Sequence, residues 1–208
     1  MRKKKSLFIN FEGIEGSGKS YQAKKLFKKI KKMKLPVLYT REPGGSKSAE
    51  SIRNLILSGN KKKFNNLTDT LLYLAARNEH IDKKIKKAIK EKKIIICDRF
   101  IDSTYAYQVD NKKVTNKLIN YLHQIILERI KPDMTFILKL NLNKSFQRLK
   151  KRKKLNRYDK LSKKFYKNAQ KIFIKNAKKD SKRYKILDTS IDNKDAEREI
   201  YKMFLSLI

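Results

Sequence analysis

Residues Leu7 to Ser20 read LFINFEGIEGSGKS, a short apolar run followed by Gly13-x-x-x-x-Gly18-Lys19-Ser20. This glycine spacing marks a phosphate-binding loop when a strand precedes it and a helix follows. The run Leu7–Phe11 reads as the strand, and Tyr21 to Met33 carries Ala23, Leu26, Phe27, Ile30 and Met33 at helical spacing. In such a loop successive backbone N–H groups turn inward and form a concave anion site, to which the helix adds its positive end. The residues expected at the phosphates of a nucleoside triphosphate are therefore Gly13, Ile14, Glu15, Gly16, Ser17, Gly18, Lys19 and Ser20. Lys19 would reach the β- and γ-phosphates, and the Ser20 hydroxyl would ligate magnesium.

Outward from this loop, composition narrows the class. A chain of 208 residues fits a single domain, 1–208, with a sizeable core. It contains no run of 18 apolar residues, so no membrane span is expected. The basic start Arg2-Lys3-Lys4-Lys5 precedes an apolar run too short for a signal peptide. The lone Cys97 reads as a reduced core residue of a cytoplasmic protein. The net charge is +35, but lysines outnumber arginines 44 to 11 and are spread along the whole chain. Abundant Asn, Ile and Lys with scarce Gly is what AT-rich coding would produce. The charge should draw anionic nucleotides without implying a specific nucleic-acid site. Five of the six glycines sit in two loops, Gly13/Gly16/Gly18 and Gly44/Gly45. A chain that avoids glycine has kept it where backbone turns sharply or approaches a ligand.

Along the chain, Val37–Thr40 reads as a second strand ending in Arg41-Glu42-Pro43-Gly44-Gly45, and Ala49–Leu57 as a helix carrying Arg53. Thr68 to Lys92 is helical, as one or two helices. Ile94–Cys97 is a buried strand with Asp98-Arg99 at its tip, the usual place for an acid that acts on magnesium. Helices are expected over 102–107 and 117–130, then a strand at 134–140, a cationic stretch over 144–157, a helix over 162–179, a strand at 184–188 and a terminal helix over 196–207. Strands alternating with helices behind a phosphate loop imply an α/β fold of the P-loop NTPase type, a five-stranded parallel sheet sandwiched between helical layers.

FEGIEGSGKS (11–20), TREPGG (40–45), DRFIDSTYAYQ (98–108) and PDMTFILKL (132–140) occur in the order and spacing of one family, and the chain resembles the thymidylate kinases nearly end to end. The resemblance implies transfer of the γ-phosphoryl group of ATP to dTMP, with Mg²⁺ as cofactor, in a cytoplasmic homodimer. It implies catalytic roles for Lys19 and Arg99 and for a lid cation, Arg152 or Arg157, in a basic lid spanning about 144–160. Arg148 and Asp188 would flank the adenine, and Ser20 and Asp98 would hold the metal. For dTMP the resemblance implies Glu15 at the sugar 3′-OH and Arg41, Arg53 and Arg99 at the phosphate. Tyr73 would stack on the base, Arg77 meet its edge, and Ser103, Tyr107 and Gln108 complete the pocket. Gly16 follows Glu15 where one group of the family carries arginine, which points to the bacterial-like arrangement with its catalytic cation in the lid. Tyr73, Val109 and Lys153 depart from the commoner Phe, Gly and Gly. His80 and His123 are not expected to catalyse; His123, on an amphipathic helix, is expected to pack or to face solvent. Two rivals stay open: a kinase for UMP, dUMP or AMP, and a basic nucleic-acid-binding protein.

Overall fold

In the computed structural model, which describes residues 6–60, 63–110, 112–153, 155–191 and 193–208, side-chain alternation gives the three central strands of the sheet two buried faces. The basic start 2–5, Lys61 and Lys62 of the basic connection, and Lys154 of the lid lie outside the described residues. In β1 (Leu7–Glu12), Ile9 and Phe11 join the core on one side of the sheet and Phe8 the core on the other. β3 (Ile94–Asp98) repeats the pattern, with Ile94 and Ile96 beside Ile9, and Ile95 and Cys97 beside Phe8. Strands apolar on both faces must be covered on both, which is the condition for a parallel sheet between helices. β2 (Val37–Arg41), β4 (Met134–Lys139) and β5 (Tyr184–Asp188) complete it, all parallel, in the order β2-β3-β1-β4-β5.

On one face α1 (Lys19–Lys32) and α9 (Asn193–Leu207) bring Leu26, Ile30, Ile200 and Phe204 onto Ile9, Phe11, Phe136 and Leu138. On the other, α8 (Lys163–Lys178) sets Tyr166 and Phe173 against Ile137 and Tyr184. Beside it α3 (Asn66–His80) runs through a π-helical turn, Ile81–Ile85, into α4 (Lys86–Lys90), so the long stretch is continuous but not uniform. Ile81, Ile85 and Ala88 from this stretch pack on Phe8, Ile95 and Phe100. The three-layer α/β architecture expected from the sequence is the one observed. Cys97 is buried, its thiol donating to the Arg99 carbonyl at 3.0 Å, and burial pushes its pKa well up.

Two expectations need correction. The cationic stretch begins with a helix, α7 (Leu142–Lys150), because Leu142, Phe146 and Leu149 recur at i, i+4 and i+7 and pack toward α8. The Asn141 carboxamide oxygen caps it by accepting from the Asn143 and Lys144 amides. The helix expected to reach Ile130, α6 (Asn116–Leu127), stops at Leu127, where Glu128 and Arg129 turn to φ 45° and 70°. α2 (Lys47–Leu57) and α5 (Ile101–Tyr107) follow the C-terminal ends of β2 and β3. β1 lies at the centre with connections leaving to either side, so a crevice opens at its C-terminal end. The phosphate loop, the tip of β2 and the tip of β3 all meet there.

Candidate active site

The chain leaves β1 at Glu12 and re-enters helix at Lys19, so residues 13–18 form a loop at the crevice, in which the Ser17 amide donates to the Ile14 carbonyl at 3.2 Å. Gly13 has φ 141°, and a Cβ there would stand 2.5 Å from the Leu138 carbonyl of β4. Only glycine lets the loop lie against that strand. Gly18, at φ 91°, starts α1 with no side-chain cap, which leaves the first amides of the helix for an anion. Lys19 is buried, and its ammonium folds over the loop to donate to the Ile14 carbonyl at 2.7 Å. Burial, and then the charge of Arg99, lower its pKa to about 8. The loop's outer side is pinned by three contacts. Ser145 Oγ donates to the Glu15 carbonyl at 2.7 Å, Thr189 Oγ1 to the Ser17 carbonyl at 2.9 Å, and Arg148 to the Gly16 carbonyl at 2.8 Å. Arg148 also reaches the Thr189 carbonyl at 3.3 Å, so it bridges the loop and the end of β5.

At the tip of β3 Arg99 adopts a left-handed backbone, φ 74°, which swings its side chain back over the loop. Its guanidinium donates to the Gly13 carbonyl at 3.2 Å, to Ser103 Oγ at 3.0 Å and to Glu15. Tyr107 donates its hydroxyl to the other Glu15 oxygen, and its ring lies under the guanidinium at 5.1 Å. Burial alone would raise the Glu15 pKa, but Arg99, Lys19 and Tyr107 outweigh it and hold the carboxylate ionised. Beneath this pair Glu12 is fully buried and accepts from the Phe100 amide at 2.7 Å and from Ser103 Oγ at 2.6 Å. Burial, then the nearby Asp102 charge, push Glu12 up to about 7.

A single pocket gathers most residues expected from the sequence: Glu15, Lys19, Ser20, Arg41, Arg53, Tyr73, Asp98, Arg99, Ser103, Tyr107, Gln108 and Arg152. Arg41 pairs with Glu50 at 3.0 Å, and Arg53 donates to the Pro43 carbonyl at 2.6 Å, so both hang on the turn after β2. The lid contributes Arg152, which pairs with Asp159 at 2.7 Å, and Tyr158, whose ring meets Tyr73 edge-on at 5.8 Å.

Of the residues expected at the phosphates and adenine, Gly13, Ile14, Gly16, Ser17, Gly18 and Arg148 lie behind this wall in or against the loop, and three other expected residues point elsewhere. Arg77 is 3 % exposed and lies below it, donating to Glu42, Thr104, His123 and the Phe100 carbonyl at 2.7–2.9 Å. Arg157 is equally buried: it donates to Asp69 and to the Ile56 carbonyl, tying the lid to α2 and α3. Asp188 faces Lys139 at 3.3 Å, half-exposed at the end of β5. In each case a neighbour distant in sequence claims the side chain. Conversely, Glu42 and Tyr158 line the pocket, and Glu12, Asp69 and His80 support it, though none is among the residues expected at the site. Glu42 was within sight, being the acid of TREPGG; Asp69 carried no local signal.

The residues present suit a magnesium ion that arrives with a nucleotide. Ser20 Oγ donates to Asp98 Oδ2, two hard oxygens side by side at the mouth of the loop. Among the described residues no three acidic, His or Cys side chains converge to hold a metal alone, and Mg²⁺ characteristically takes its other ligands from water and phosphate.

The thymidylate kinase family model matches residues 11–200. The chain is 35% identical over 204 residues to the thymidylate kinase of Mycoplasma capricolum, covering 97% of this chain and 94% of that protein. It is 39% identical over 191 residues to that of Wolbachia pipientis, covering 91% and 93%. The crystal structure of thymidylate kinase from Ehrlichia chaffeensis superposes with a TM-score of 0.78 at 32% identity, over 96% of this chain and 99% of that one. A phosphate loop facing an arginine-lined pocket is shared by many kinases. With near full-length likeness in both sequence and structure added, the chain belongs to the thymidylate kinase family.

Proposed function

We propose that this chain phosphorylates dTMP to dTDP, taking the γ-phosphoryl group from ATP bound with Mg²⁺ and releasing ADP. The observation that carries this is the pocket itself, in which Lys19, Arg41, Arg53, Arg99 and Arg152 surround one space bounded by Tyr73 and Gln108. Two polyanions must be brought into line, and a ring of fixed cations does this while neutralising charge on the moving group. An oxygen of the dTMP phosphate forms the new bond to the γ-phosphorus as the bridging oxygen to the β-phosphate departs with ADP. That oxygen is ionised near neutral pH, so no general base is required.

Lys19 and the loop amides hold the β- and γ-phosphates, with Arg148 and Thr189 on the adenine side. Ser20 and Asp98 would hold the magnesium ion, which would offset the charge of the phosphates. Arg41, Arg53 and Arg99 take the acceptor phosphate, Glu15 the sugar hydroxyl, and Tyr73, Tyr107, Ser103 and Gln108 the nucleoside. Arg152 is the lid cation that reaches the transferred group, while Arg157 anchors the lid. Arg77 supports the base site from below. A homodimer in the cytoplasm completes the proposal. It is supported by exposed Leu71, Tyr121 and Ile125 on the neighbouring helices α3 and α6, and sedimentation would test it.

The test is a turnover panel of dTMP, dUMP, UMP and AMP with ATP. Highest kcat/KM for dTMP is expected, and preference for another acceptor would overturn the substrate assignment. Lys19→Ala should lower kcat by about a hundredfold or more with the fold retained by circular dichroism. Unchanged turnover in that variant would refute the site.

A further inference from the structure

The two oxygens of Glu42 are held from one helix face. Arg77 Nε donates to Oε2 at 2.7 Å, and His80 Nδ1, one turn later on α3, donates to Oε1 at 3.0 Å. Glu42 is 5 % exposed and forms part of the pocket wall, whereas His80 is 0 % exposed and touches no part of that space. The other His80 nitrogen, Nε2, meets the Thr40 hydroxyl at 2.6 Å. The imidazole therefore joins the last buried residue of β2 to the turn that follows it.

The turn is built around this ring. Gly45 has φ 96°, and a Cβ there would lie 2.5 Å from the His80 ring and 2.6 Å from Thr40 Oγ1. The second glycine of TREPGG is thus a vacancy the histidine requires. What the turn presents is the acceptor machinery: the Arg41 side chain, the Pro43 carbonyl that receives Arg53, and the Gly45 amide that donates to Glu50 at 2.9 Å, the partner of Arg41. Arg41 directly precedes Glu42 in the chain, and Arg53 donates to the carbonyl of Pro43, which directly follows it. Arg77 needs the same carboxylate, since its three remaining contacts come from α5, its preceding residue and α6.

We propose that His80 is a positioning residue for acceptor binding. It acts through Glu42 to hold Arg41, Arg53 and Arg77, and has no contact with either substrate. This rests on the acceptor lying against those arginines. The imidazole must remain a donor at Nδ1; its Nε2 contact orients the ring but faces no group that binds substrate. A clamp of this kind moves acceptor affinity and leaves the donor site, built on the loop and β5, untouched.

The experiment uses the full chain with three substitutions. His80→Asn places an amide N–H near the Nδ1 position, His80→Gln places one near Nε2, and His80→Ala removes both. Steady-state kinetics are measured with each substrate varied, and melting temperature is recorded for each variant. For His80→Ala the KM for dTMP should rise about tenfold and the KM for ATP stay within about twofold. His80→Asn should recover most of the dTMP KM, and His80→Gln should not. Should the alanine variant fail to fold, the Asn and Gln variants, which both keep a polar side chain at the position, decide alone. Equal rescue by Gln and Asn, an unchanged dTMP KM, or parallel rises in both KM values would overturn the proposal. Wild-type protein in the same assay separates the two layers. If it does not turn over dTMP, the acceptor assignment fails; if it does and the variants match it, only the clamp fails.

Discussion

Glu12 shows how a single buried residue links the loop chemistry to pH. It holds the start of α5 through Phe100 and Ser103, and Ser103 in turn receives Arg99. Burial and Asp102 raise its pKa from 4.5 to about 7, against opposing contributions from Arg99 and Ser103. The unfolded chain releases this proton near 4.5 and the folded chain near 7, so between those values the folded state holds more protons. Stability from this group is then full below about 4.5 and is lost as pH rises through 7. Glu12→Gln cannot ionise, so its melting temperature relative to wild type should climb between about pH 5 and pH 8. Thermal melts at both values check this; a constant or shrinking difference would contradict it. His123 titrates in no such window, because burial and the adjacent Arg77 lower it to about 3.

At the scale of elements, the turn after β2 and the lid are both held by α3, which makes that helix the frame of the acceptor side. In the turn, Gly45→Ala adds a Cβ into the His80 ring at a backbone angle that disfavours side chains. A loss of about 2–3 kcal/mol is expected in urea unfolding, with less than about 0.5 kcal/mol arguing that the turn can shift. In the lid, two arginines expected from the sequence as alternatives take different neighbours. Arg152 reaches the pocket, while Arg157 and the Tyr158 hydroxyl both grip Asp69. Arg152→Ala should lower kcat about 10²–10³-fold, as for loss of a charge-stabilising donor. Arg157→Ala and Asp69→Asn should instead raise the dTMP KM while kcat at saturating dTMP stays within a few-fold. The reverse pattern would exchange the two roles.

For the whole molecule the issue is the charge of +35, which the fold leaves distributed over exposed helix faces such as Lys164, Lys167, Lys171, Lys175 and Lys178 of α8. Exposed charge of this kind steers anionic substrates at long range and is screened by salt. The kcat/KM for ATP should therefore fall several-fold between about 20 and 300 mM KCl, with circular dichroism unchanged. Duplex DNA retained on a filter at about 150 mM salt would instead favour the nucleic-acid reading.

Much of this molecule is a local matter of spacing. The phosphate loop, the alternating strands and the acid at the tip of β3 follow from short-range geometry, because a glycine pattern or a run of Ile needs few distant partners to make sense. The class of fold and the chemistry were legible for that reason. Side chains that meet across the sheet were not. Arg77 lies 35 residues from the carboxylate it serves, and Arg157 lies 88 from its partner. A long cation can extend into a pocket or fold beneath it, and only the packing of α3 against the turn and the lid chose between them. Composition is silent about such choices because an arginine's five donors suit a phosphate or a buried carboxylate equally well.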